Sequence, residues 1–182
     1  MSKKTRKKQY KKLGIPYMSE RQAFSLMSYQ AEFILSGLRT FRKMRRMGLA
    51  PNDIVDAAYK AHGVTMNSPY TGNEEAADAA CKEASAKWDA ILDEMIYAFS
   101  QVAWNYPDSP ADAWIDKVSS EMEKAGIPQY QKRTKNPDGS ITFEGNNFPP
   151  MPDDVKKASE TYQKRIHDGL HLYAEYFQDL WD

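Results

Sequence analysis

The stretch from Ala86 to Ala103, A-K-W-D-A-I-L-D-E-M-I-Y-A-F-S-Q-V-A, constrains the fold more than any other part of the chain. Its large apolar residues, Trp88, Ile91, Leu92, Met95, Ile96, Phe99 and Val102, recur in steps of three and four. On a helix of 3.6 residues per turn they share one stripe, with Asp89, Asp93, Glu94 and Gln101 beside it or opposite. A stripe this wide needs other helices to cover it, so the stretch reads as the middle of a helical core.

The rest of the chain supplies the cover. Ser19 is placed to cap a long first helix with Glu20 in its first turn, running to about Met47 before Gly48. Its expected seam is Phe24, Met27, Ala31, Ile34, Leu38 and Phe41. Pro51 and Asn52 open a short helix over Asp53 to His62 that Gly63 ends, and residues 64 to 73 form a polar loop. The central helix then spans Glu74 to about Trp104, with an alanine-rich first half that admits a close neighbour. Pro107 breaks it, and Ser109, Pro110 and Asp112 start a second short helix with Trp114, Val118 and Met122 on its apolar side.

From Gln129 to Gly145 the pattern changes to Y-Q-K-R-T-K, N-P-D-G and S-I-T-F-E, a β-hairpin around a turn. A lone hairpin is marginal in water, so it is expected to pack on the helices or on a partner. Asn146 to Pro152 is a stiff linker, and the last helix runs from Asp153 to Leu180. Its stripe is Val155, Ala158, Tyr162, Ile166, Leu170, Tyr173, Phe177 and Leu180. The expected fold is mainly α: a helical bundle of three long and two short helices with a small β-hairpin insertion at about 129–145. Residues 15–182 form one domain in this reading, after a basic disordered tail at 1–14.

A chain of 182 residues buries about 70% of its unfolded surface and needs no disulfide, which its lone Cys81 could not make internally. No apolar run approaches the roughly 20 residues that cross a bilayer. No apolar segment follows the basic N-terminus, so a soluble protein of a reducing cytoplasm is expected. Net charge is zero but unevenly spread. Residues 1–47 carry 13 lysines and arginines against Glu20 and Glu32, net +11, leaving −11 for the remainder. Such asymmetry favours an anionic partner for the N-terminal part.

Arg39, Arg42, Lys43 and Arg46 form a basic stripe beside the first helix's seam and are the leading ligand-binding candidates. Loop tyrosines Tyr70 and Tyr106 join them, because Tyr with Arg can sandwich a base and grip a phosphate. The alternative places nucleic acid on the tail, through Lys3, Lys4, Arg6, Lys7, Lys8, Lys11 and Lys12. Asp89 and Asp93 are expected to pair with the basic stripe, an Asp93–Arg42 pair fixing helix register. His167, His171 and Glu175 share a helix face at metal-ligand spacing, but H-D-G-L-H departs from H-E-x-x-H, and a solvated surface is the preferred reading. No glycine-rich phosphate loop or G-x-S-x-G elbow occurs, and Cys81 has no nearby His in sequence. No catalytic residue and no cofactor is therefore assigned, and an enzyme is the least supported class.

Two stretches carry a resemblance to a family. W-D-A-I-L-D-E-M-I-Y-A-F, from Trp88 to Phe99, and G-L-H-L-Y-A-E-Y-F-Q-D-L-W-D, from Gly169 to Asp182, resemble small helical proteins of tailed bacteriophages. F-I-L-S-G-L-R-T-F-R, from Phe33 to Arg42, is similar to the N-terminal helix of that family. The resemblance implies a phage origin, a helical fold and the cytoplasm of an infected bacterial host. It brings no activity and no catalytic residues. Together these readings lead to a phage-type accessory protein that binds rather than catalyses, an expected homo-oligomer. It would sequester an anionic host nucleotide signal or block a host protein. The alternative is a nucleic-acid-associated or virion protein.

Overall fold

In the computed structural model, which describes residues 25–44, 50–64 and 73–180, the Trp88 stretch is the centre of the longest helix, α3 (Glu74–Ala103). The other helices are α1 (Leu26–Lys43), α2 (Asn52–Ala61), α4 (Pro110–Lys124) and α5 (Asp153–Glu175). Strands β1 (Tyr130–Lys135) and β2 (Ile141–Asn146) pair antiparallel, and a 3₁₀ turn covers Phe177–Leu180. The fold is mainly α, a helical bundle with one small hairpin. The chain divides into two compact units. One draws on residues up to Asn105 and again from Gly169, and the other is Tyr106–Asp168.

In the first unit α3 is the hub. Trp88, Leu92, Met95, Phe99 and Val102 are buried as their spacing requires, with Leu92 and Met95 fully enclosed. Each such side chain contributes about 1.5–3 kcal/mol by leaving water. The alanine-rich half of α3 receives α2, with Ala80 and Ala84 fully buried beside Ile54, Val55, Ala58 and Tyr59 of the core. Tyr59 Oη lies 3.2 Å from the half-buried Cys81 Sγ, and His62 Nε2 lies 2.9 Å from Glu83 Oε2. The C-terminal segment closes on the same helix. A methyl group at Gly169 would sit 2.7 Å from the Glu94 carbonyl oxygen and 2.6 Å from Ala98 Cβ, so only glycine permits this approach. Beyond it, Tyr173 meets Phe99 edge-on at 4.9 Å and Tyr176 meets Trp88 at 5.4 Å. Tyr176 also donates to Asp53 Oδ2 at 3.1 Å.

In the second unit Ser109 Oγ accepts from the Asp112 amide, with Pro110 in the first turn, as its sequence signals. Gly126 ends α4 at φ 70°. The hairpin turns through Asn136–Ser140, where Gly139 adopts φ 85° and Asp138 Oδ1 accepts from the Ser140 amide and hydroxyl. Those bonds hold the Asp138 carboxyl below its ordinary pKa. Tyr130 stacks on Phe143 across the strands at 4.7 Å, yet every strand residue except Thr134 is exposed.

Two helix ends and one buried face are corrected. The first helix stops at Lys43 instead of about Met47, because Met44 turns extended at ψ 145°. The buried line of α1 is Ala31, Leu35 and Leu38, while Met27 is 57% exposed and Ile34 and Phe41 are half-buried. The helix is turned so that Arg42, four residues after Leu38, shares the face that meets α3. Finally, α5 ends at Glu175, and the tighter 3₁₀ turn leaves Phe177, expected in the core, 49% exposed. The Ser19 cap, residues 1–14 and most of the 64–73 loop lie outside the described residues.

Candidate functional site

The basic stripe of α1 divides between two environments. Arg42 faces α3, where its Nε donates to Asp93 Oδ1 at 3.0 Å and Nη2 to Asp93 Oδ2 at 3.3 Å. Its Nη1 lies 3.3 Å from Asp89 Oδ2. The Asp93 hydrogen bonds, and after them the nearby charge of Asp89, raise the guanidinium pKa still further. The expected register-fixing pair is present, and Asp89 and Asp93 serve it as a clamp.

Arg39 lies on another flank. Its guanidinium carbon sits 5.1 Å from the centroid of the Trp104 ring, a cation–π distance. Trp104 is the residue that closes α3, its amide bonded to the Ser100 carbonyl, and the residue is 53% exposed. Lys43 follows Arg39 by one turn. With Glu32, Leu35, Ser36 and Thr40 these residues line an open cleft of about 320 Å³. Among the described residues no carboxylate forms an ion pair with Arg39 or Lys43. The cleft therefore presents two cations from α1 and the aromatic ring that closes α3, with Glu32 also in its lining. Sequence reasoning missed Trp104, although an aromatic at the end of a helix just before N-Y-P was the available signal.

A second concavity, about 560 Å³, runs along α1 on the side turned away from α3. Ile34, Gly37, Phe41 and Met44 form one wall, and Tyr173, Phe177 and Leu180 the other. Its lining is overwhelmingly carbon, and Phe33 at its edge is 81% exposed.

The remaining candidates are not gathered here. Tyr106 is half-buried with a left-handed φ of 57° and belongs to the second unit. Arg46, Tyr70 and the tail cations Lys3, Lys4, Arg6, Lys7, Lys8, Lys11 and Lys12 lie outside the described residues. His167, His171 and Glu175 are exposed on α5, where Asp168 pairs with Lys164 at 2.6 Å. Among the described residues no group of three His, Cys, Asp or Glu side chains is placed to hold a metal ion.

Comparison with known proteins returns no matching family model, no curated relative and no similar solved structure. No helix among the described residues is long and apolar enough to cross a membrane.

Proposed function

We propose that this chain is a phage-type accessory protein that binds rather than catalyses, taking an anionic ligand of the nucleotide class in the cleft of Arg39, Lys43 and Trp104. The observation that carries the reading is the Arg39 guanidinium held over the exposed Trp104 ring at 5.1 Å. A guanidinium pre-ordered on an aromatic face loses less freedom when it grips a phosphate. The same exposed indole offers a surface on which a base can stack. Lys43 adds a second positive charge one turn away, and Arg42, committed to Asp89 and Asp93, fixes the helix that carries both.

The test is thermal melting of the full chain against a panel of nucleotides and cyclic dinucleotides. A ligand that binds only the folded state raises the melting temperature in proportion to its excess over Kd. Arg39→Ala and Trp104→Ala are expected to keep the apo fold and lose the ligand-dependent shift. No shift with any member of the panel, or a shift unchanged in both variants, sinks the reading and leaves a protein partner as the alternative.

A further inference from the structure

The two faces of the hairpin differ in chemistry. Residues directly opposite each other in an antiparallel ladder share a face, and every second pair returns to it. Lys132 opposite Glu144 and Thr134 opposite Thr142 make one face. Its polar groups are answered from within: Lys132 Nζ lies 3.4 Å from Glu144 Oε2, and Thr142 Oγ1 accepts from Asn136 Nδ2 at 2.9 Å. Arg133 opposite Phe143 and Lys135 opposite Ile141 make the other. Among the described residues no carboxylate forms an ion pair with Arg133 or Lys135. The hairpin's second acid, Asp138, is bonded to Ser140.

What the two cations have beside them instead is aromatic. The Arg133 guanidinium carbon lies 6.0 Å from the centroid of the Phe143 ring, and the Tyr130 ring lies 4.7 Å from the same ring. Tyr130, Arg133, Lys135, Ile141 and Phe143 are all exposed, Phe143 at 49%. Cations on a bare strand do keep sheet edges from pairing with other chains. That role leaves Tyr130, Ile141 and Phe143 unexplained, since exposed large apolar side chains promote the association that edge charges oppose. An anionic partner that also has flat rings accounts for both.

Unstacked bases pack on aromatic side chains whatever their identity, while lysine and arginine take the phosphates that link them. A duplex keeps its base faces inside the stack, so only a single strand can use the rings as well as the charges. From Arg133 to Lys135 along β1 is two residues, about 6.8 Å. That step is close to the one between successive phosphates of an extended strand. We propose that this face of the hairpin binds single-stranded nucleic acid, with Arg133 and Lys135 on neighbouring phosphates and a base stacked on the Tyr130–Phe143 pair. The proposal does not rest on the nucleotide reading of the Arg39 cleft, because the hairpin and that cleft belong to different units.

Fluorescence anisotropy of labelled oligo-dT and oligo-rU with the full chain, over a salt series, tests it, and photocross-linking locates the contact. The chain is expected to bind, with adducts on Tyr130 or Phe143, and the tighter of the two oligonucleotides tells DNA from RNA. Arg133→Gln and Lys135→Gln leave the Tyr130–Phe143 contact in place. Each is expected to lower the slope of log affinity against log salt by about 0.7, the value for one single-strand phosphate. Phe143→Ser is expected to weaken binding at least about fivefold, the least that one base–aromatic stack is worth. If neither oligonucleotide binds, the proposal falls and the face is left to an acidic protein partner. Adducts confined to residues outside the hairpin, or a salt slope unchanged in both glutamine variants, overturn it equally.

Discussion

Tyr176 shows how much a single side chain can report. Burial first, and then its hydrogen bond to Asp53, push the phenol pKa from 10.0 up to about 12. The folded state therefore holds this proton more tightly than the unfolded chain does. Its contribution is full below pH 10 and is lost as pH rises through about 12. An alkaline denaturation series should show an extra loss of stability in that window, absent in Tyr176→Phe. At neutral pH that variant should cost about 1 kcal/mol, the usual worth of one hydrogen bond, in denaturant melts. Arg42→Ala tests a different kind of contact. The Arg42 and Asp89 side chains are 33% and 29% exposed and Asp93 58%, and pairs this open to solvent are worth about 0.2–1 kcal/mol, so a small loss that shrinks in high salt is expected.

At the scale of the element, the core stripe of α3 was legible because its period is strong and its side chains are large. Leu92→Ala and Phe99→Ala should each cost about 2–5 kcal/mol in equilibrium unfolding, with Leu92, fully enclosed, the cleaner case. Gly169→Ala should also destabilise, by about 1–3 kcal/mol of overpacking against the Glu94 carbonyl, despite alanine's better helix propensity. Nothing in G-L-H-L announced that approach, because a glycine within a helical pattern reads the same whether it meets a backbone or solvent. The seam of α1 was misjudged for a related reason. The helix has apolar residues on two sides, and periodicity alone cannot say which side faces inward. The Arg42 clamp accompanies the inward side, and although the Asp93–Arg42 pair was expected to fix helix register, the expected seam was not turned to agree with it. Caps, by contrast, are local. Ser109 and Gly126 stand where the sequence put them, since their physics needs no distant partner.

At the scale of the whole molecule, charge is the property that sequence gives and structure does not. The net +11 of residues 1–47 includes seven tail cations, and they belong to the alternative reading of a nucleic-acid partner. If the tail grips duplex DNA, log affinity should fall by about 0.9 per phosphate neutralised for each decade of salt. Deleting residues 1–12 should then abolish that binding while leaving the nucleotide-dependent thermal shift intact. A flat salt response removes the alternative. The cleft of Arg39 and Trp104 was half legible. The cations were visible as a stripe, but which of them would be consumed by Asp89 and Asp93 depended on helix packing. The hairpin was legible too: of the two expected kinds of packing, that on the helices is slight, since all strand residues but Thr134 are exposed and the strands are held by their own turn and by the Tyr130–Phe143 contact. Because almost nothing of it is buried, its sequence can drift with little penalty to folding. Selection can act on those twelve strand residues only through what they touch or how they keep the protein dispersed. The turn at Asn136–Ser140 is accordingly the natural place to splice in an epitope or a reporter peptide without rewriting the helices.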